Sequence, residues 1–363
     1  MKSIISSILV LSVLVSASQK RVDLDRYRFS VQYRSLPSIQ LDSSYHTYNV
    51  QIEGTKMMNP FLRDLSPENS VVLEGWRKIN DEGHITVKVK LDDLLPESFS
   101  VKERLEITKN NLGQVTGSKI FYHQELIYTF AATAGIDDYK GMHLRDESLA
   151  DRGYKQTYNS PEFSIKALAD GYFTLNALNI TRDLYTSCVN RSMHYLSDRL
   201  TDNFGFKEVT ANDFVWVIDS RKHPEYAANH QAIQQLSEAL FSLNAASSIE
   251  EAKKKLEPVI RYFESVKSNY TSSSRHDRKI RYASYYNLAV LYYYMDDPQS
   301  MAKEANGLVL NDFDRQDGKA FEQSAMTLKN LFNISNTNTR HFTINTSSFK
   351  GPYEKNSVTS KRF

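Results

Sequence analysis

Few side-chain groupings in this 363-residue chain have a spacing that could do chemistry. His123 and Glu125 fall two apart in an alternating segment, on the face opposite Tyr122 and Leu126. An imidazole beside a carboxylate has its charged form favoured and can do acid–base work. No third partner can be placed for the pair, so a solvated sheet face accounts for it. Asp312, Asp314, Asp317 and Gly318 echo a calcium loop, in which alternate carboxylates converge on the ion and glycine permits the turn. Here the glycine falls one place late and Gln323 stands where the bidentate Glu belongs, the pattern of an inter-helix turn. His223, in Arg221-Lys222-His223-Pro224, stands without a second histidine at ligand spacing and suits the entry into a helical domain. Gly113 to Lys119 has the wrong order for a phosphate loop and precedes a strand, so it reads as a hairpin loop. G-x-S-x-G, H-E-x-x-H and G-x-G-x-x-G are absent from the sequence. No catalytic, cofactor-binding or metal residue is assigned, and no cofactor is expected.

The elements that must position these residues change period along the chain. From Tyr27 to about Phe130, apolar and polar residues alternate. Ile85, Val87, Val89 and Leu91 interleave with Thr86, Lys88, Lys90 and Asp92, and Phe99, Val101, Leu105 and Ile107 with Ser100, Lys102, Arg104 and Glu106. Period two marks half-buried strands, and turn residues at Asn80 to Gly83 and Asn110 to Gly113 separate them. The expectation is an antiparallel β-sandwich-like domain over 19–134. After a polar stretch from Gly135 to Pro161, the stripe Leu184, Cys188, Val189, Met193, Leu196, Leu200, Phe204 predicts a long amphipathic helix stopped by Gly205. Two short strands, Lys207 to Val209 and Phe214 to Ile218, complete a linker and small α+β segment over 135–222. Residues 223–333 are helical by their period, with Pro298 suited to a first helical turn. The tail, 334–363, is rich in Asn, Thr and Ser and reads as extended or disordered. The fold class is α+β, multidomain.

Composition narrows the partners. Lys and Arg number 45 against 43 Asp and Glu, a formal charge of +2, so nothing draws the chain to nucleic acid. One cysteine excludes a disulfide framework. Lys2, the apolar run Ile8 to Val15 and the small residues of Val15-Ser16-Ala17 read as a secretory signal over 1–18, too short to span a bilayer. The chain is therefore expected in the periplasm, at the cell surface or secreted, and a single cysteine suits a bacterial envelope better than a disulfide-forming secretory pathway.

The string Tyr285-Tyr286-Asn287-Leu288-Ala289-Val290-Leu291-Tyr292, with the Asp296-Asp297-Pro298 turn after it, resembles the first helix of a tetratricopeptide (TPR) repeat; Tyr285, Leu288, Ala289 and Tyr292 fill the pattern's places. Ser247 to Ile260 with the helix before it lies on the same pattern in degenerate form. Together with Leu36-Pro37, Leu41-Asp42, Trp216 to Pro224 and Asn338 to Phe342, these landmarks resemble a family of exported Bacteroidota proteins with TPR-like C-termini and no assigned reaction. The resemblance implies an envelope location and a helical repeat domain. It also implies that Tyr286, Val290 and Tyr293 face a concave groove, while Tyr285 and Tyr292 pack between helices. Groove-facing tyrosines suit peptide or glycan contact; covered by another element, the same rings are core, and both readings stand. The basic clamp of chaperone-type repeats is replaced by Tyr286 and Val290. The resulting expectation is a non-enzymatic scaffold for a protein partner in the envelope. The competing one is a carbohydrate-active enzyme or glycan-binding module built on the β-rich domain.

Overall fold

The computed structural model describes residues 22–354, so the signal expected over 1–18 lies outside the described residues. In chain order the elements are β1 (Leu24–Arg34), β2 (Thr47–Gly54), α1 (Asn59–Leu65), β3 (Arg77–Lys78), β4 (Ile85–Leu91), β5 (Leu95–Lys109), β6 (Val115–Thr129), β7 (Ala132–Asp138), β8 (His143–Ala150), β9 (Gln156–Asn159), α2 (Lys166–Phe204), β10 (Glu208–Ile218), α3 (Tyr226–Phe241), α4 (Glu250–Asn269), α5 (Arg275–Tyr294), α6 (Pro298–Asn311) and α7 (Arg315–Ser335). The chain is a mixed α+β protein. It divides into two compact units. One joins the described residues up to Tyr33 with Thr210–Asn330; the other joins Arg34–Val209 with the residues from Leu331 onward.

In the first unit the helical period follows the sequence closely. Asp297 caps α6 by accepting from the Ser300 amide, with Pro298 in the first turn where a missing N–H costs nothing. Gly307 lets α5 and α6 close: a Cβ there would stand 2.3 Å from the Tyr285 ring. Leu288, Ala289, Ala305 and Leu308 are fully buried in the unit's interior. The two-stranded sheet of β1 and β10 belongs to the same core, through Phe29, Val31 and Val215. Asn287, wholly buried on α5, fixes β10 by accepting from the Trp216 amide at 2.7 Å and donating to its carbonyl at 2.8 Å.

The second unit departs from the expected antiparallel sandwich. Its five-stranded sheet runs β3-β2-β4-β7-β8, and β2 lies parallel to both β3 and β4. Alternation reports which face is buried, not strand direction; the connection from Thr55 to His84, which includes α1, is long enough to return the chain parallel. The 39-residue helix α2 shares one core with this sheet, through Met193, Leu196 and Leu200 beside Ile85, Val87 and Ile136. A second, three-stranded antiparallel sheet runs β5-β6-β9.

Two boundaries change as well. Residues 135–159 are not a linker but supply most of β7 and all of β8 and β9. The short strands expected around 207–218 are the single strand β10. The described part of the tail is not loose: Arg340 and His341 are buried, Arg34 donates from its amide to the Arg340 carbonyl, and the Arg77 guanidinium donates to the Phe349 carbonyl.

Candidate functional site

The groove expected on the helices is filled. Tyr286 is 9% exposed, stacked on Phe214 with centroids 5.4 Å apart and edge-on to Trp216 and Phe321. Val290 is 1% exposed, and Tyr293 is half-buried, edge-on to Tyr294. The expectation that Tyr286, Val290 and Tyr293 line an open surface is corrected. β10 lies over that side of α5, held there by Asn287, and Asn229 and His230 of α3 bond the Ile218 amide and carbonyl. The Arg26 guanidinium also lies over the Phe214 and Trp216 rings, 4.6 and 5.4 Å from their centroids. Burial and neighbouring Asp213 push the Tyr294 phenol up, and its hydroxyl donates to that carboxylate at 2.9 Å.

The second unit contains an open apolar cleft that the sequence did not disclose. Of about 520 Å³, it lies between the N-terminal half of α2 and the inner face of β5 and β6. Leu94, Pro96, Phe99, Leu126 and Tyr128 form one wall; Phe173, Ala177, Ile180 and Leu184 form the other. The walls meet where Phe99 stands edge-on to Phe173 at 5.6 Å, and where the Phe173 amide donates to the Gln124 side chain at 3.1 Å. The polar lining residues are few and uncharged: Gln124, Thr174, Thr181, Tyr128, whose hydroxyl donates to Gln156 at 3.1 Å, and Tyr185. Burial pushes both phenols up, so they stay neutral through the physiological range. The Tyr185 hydroxyl accepts from the Leu94 amide at 3.3 Å and reaches Asp93 at 3.4 Å, which fixes the floor. Met57 and Phe99 are 71% and 56% exposed at the rim. Its size and its largely apolar lining with a few hydrogen-bonding groups are those of a ligand pocket.

No family model matches this chain, and no curated protein sequence does.

A second cleft of about 510 Å³ in the same unit has a different chemistry. Asp42, His46, Asn333, Asn336 and Thr337 line it together with Trp76, Phe204, Phe206 and Phe342. Amides and a carboxylate beside aromatic rings are what a saccharide requires. Here Trp76 and Phe204 are buried, the indole N–H donates to the Phe204 carbonyl, and Phe206 and Phe342 pack edge-on against each other. Hydrogen bonds from Ser44 hold Asp42 below the usual carboxylate range, and burial lowers His46, which stacks on Phe349.

The remaining residues singled out by sequence have partners of another kind. Glu125 pairs with Lys102 at 3.4 Å across the hairpin, and His123 stands opposite Lys102 in register. The aspartates of the calcium-like turn diverge: Asp312 ion-pairs with Arg315 at 2.6 Å, Asp314 accepts the Gln316 amide, and Asp317 accepts from the Tyr282 hydroxyl at 2.5 Å. His223 is buried just before α3, where its Nδ1 accepts the Glu225 amide and its ring stacks on His276. Burial raises the Cys188 thiol, which leaves it protonated and a poor nucleophile. Among the described residues no helix is long and apolar enough to cross a membrane.

Proposed function

We propose that this chain is an exported, non-enzymatic interaction protein that receives an apolar segment of a protein partner in the cleft between α2 and the β5–β6 sheet. The observation that carries the reading is the composition of the cleft wall: large apolar side chains, uncharged hydrogen-bonding groups, and no carboxylate, imidazole, amine or guanidinium among the lining residues. Such a wall gains by taking apolar surface out of water, about 25 cal/mol per Å², and would penalise a charged ligand. Secretion rests on the N-terminal run Ile8 to Val15 and the small residues after it. In this reading α3 to α6 are two TPR-like pairs that act as support, their concave side occupied by β10; Tyr285 against Gly307 supports that alignment. A saccharide in the polar cleft is the competing reading, weakened by rings that are buried or engaged with each other.

The test is a titration with N-phenyl-1-naphthylamine, a neutral apolar fluorophore. One saturable site per chain is expected, together with its loss on Ala177→Phe, a substitution at an exposed helical position that fills the cleft without disturbing the core. An unchanged titration in that variant, with the melting temperature also unchanged, would remove the cleft from consideration. Competition by neutral oligosaccharides in place of apolar peptides would transfer the function to the polar cleft.

A further inference from the structure

The three-stranded sheet of the second unit ends on an open edge. β5 is its outermost strand, and its register with β6 runs unbroken from Ser98 to Thr108. β9 covers β6 only from Glu125 to Tyr128, so beyond that point β5 and β6 continue as a two-stranded arm apart from a single bridge at Tyr122. On this hairpin Phe99, Leu105, Ile107, Leu112, Val115 and Ile120 are between 46% and 83% exposed. An edge strand of this length presents a row of backbone donors and acceptors ready to pair with another chain. Charged edge residues ordinarily discourage pairing, and β5 has them: Lys102, Glu103, Arg104 and Glu106. Their order decides the partner.

We propose that β5 pairs with β5 of a second copy of this chain, antiparallel about a two-fold axis at Leu105. With the apolar faces of both copies on one side, residues opposite each other share parity, so the axis passes through a residue. An axis at Lys102, Glu103, Arg104 or Glu106 sets like charges directly opposite, which destabilises a sheet. An axis at Val101 or Ile107 carries the pairing close to the irregularities at Pro96/Ser98 and Thr108/Lys109. At Leu105 the copies place Leu105 against Leu105 on one face and, on the other, Arg104 against Glu106 on both sides of the axis. Leu105 already stands opposite Ile120 of β6. Pairing therefore extends that couple into a row of Ile120, Leu105 and their counterparts across four strands. Arg104 is held by Glu162 at 2.6 Å and reaches Glu106 of its own strand at 3.2 Å, so at this register the Glu106 of the second copy joins an ion-pair cluster whose guanidinium is already fixed. None of residues 101–109 lines the apolar cleft, so this surface and the cleft can be tested separately.

Disulfide trapping in the full chain tests the register. Leu105→Cys is expected to give a covalent dimer under mild oxidation. Glu103→Cys alone and Ile107→Cys alone are not, because each stands four residues from its own counterpart, about 13 Å along the strand, beyond the ~7 Å that a disulfide tolerates between Cα atoms. An equimolar mixture of those two variants should cross-link. The native Cys188 is buried and does not compete. In sedimentation the unmodified chain should shift toward twice the protomer mass as concentration rises, and Leu105→Lys should hold it at the protomer mass with unchanged melting temperature and unchanged dye binding in the cleft. A chain that stays monomeric at every concentration would overturn the proposal. So would equal cross-linking at 103, 105 and 107, which collision alone produces, or an arm covered only on addition of phospholipid vesicles or an envelope extract.

Discussion

At the scale of single residues, direction on the helix separates packing from recognition. Tyr286, Val290 and Tyr293 share a stripe of α5, and the covering strand makes two of them core. Tyr286→Ala should therefore cost ~3 kcal/mol, the range for deleting a buried aromatic ring. Tyr286→Phe keeps the ring contacts with Phe214, Trp216 and Phe321 and should cost under ~1 kcal/mol. Tyr293→Ala, half-exposed, should fall between the two. Urea titration of the three variants measures this, and a Tyr286→Ala protein as stable as the parent would reopen the groove. Asn287 sets the arrangement, since both of its amide hydrogen bonds go to the backbone of Trp216. No periodicity distinguishes a buried asparagine that docks a strand from one on a solvated helix face.

Among the elements, α4, α5 and α6 are joined by one buried charge pair. Lys267 of α4 donates to Glu304 of α6 at 2.6 Å and lies over the Tyr285 ring of α5 at 4.7 Å, while Glu304 is 1% exposed. Burial pushes the Glu304 carboxyl above its ordinary 4.5, against the pull of Lys267. Removing one partner leaves a buried charge uncompensated, so Lys267→Met should destabilise by ~3 kcal/mol, and Lys267→Met with Glu304→Leu should recover most of that. The sign of the pH dependence follows from the direction of the shift. A carboxyl whose folded pKa is raised takes up a proton on folding, so its contribution is whole below 4.5 and is lost as pH rises through the folded value. Lys267→Met removes the lysine's opposing pull and raises that pKa further. The variant's deficit should therefore narrow as pH falls from 7.5 toward 5. Melting curves of parent and variant at both values check it, and a deficit independent of pH would mean that lost packing, not the charge, is responsible.

For the whole molecule, the two units carry separate cores and one tryptophan each, Trp216 in the first and Trp76 in the second. Trp76→Phe and Trp216→Phe thus give chains whose fluorescence follows one unit at a time. Truncation before Thr339 removes the backbone acceptors of Arg34 and Arg77 and the buried Arg340 and His341. Each lost buried hydrogen bond is worth about 1 kcal/mol, so the truncated chain should show the Trp76 transition several degrees lower and the Trp216 transition little moved. Equal shifts of both signals would mean that the units unfold as one.

The sequence by itself determined the class and much of the local structure. Alternation marked β4, β5 and β6, Gly205 marked the end of α2, and Pro298 marked the start of α6, because local propensity, side-chain period and capping chemistry are written in neighbouring residues. The start of α2 was illegible for a physical reason. From Lys166 to Leu178 the helix is apolar on both sides, with Ala169 and Phe173 inward and Leu168, Leu175 and Leu178 outward, so no single stripe shows its period. The apolar cleft depends on that same segment and was missed with it. Only the tertiary structure decided that β2 runs parallel to β4, that β10 covers α5, and that the residues from Leu331 return to the second unit. Strand direction and the choice of covering element depend on contacts between residues far apart in the chain, which no local pattern encodes.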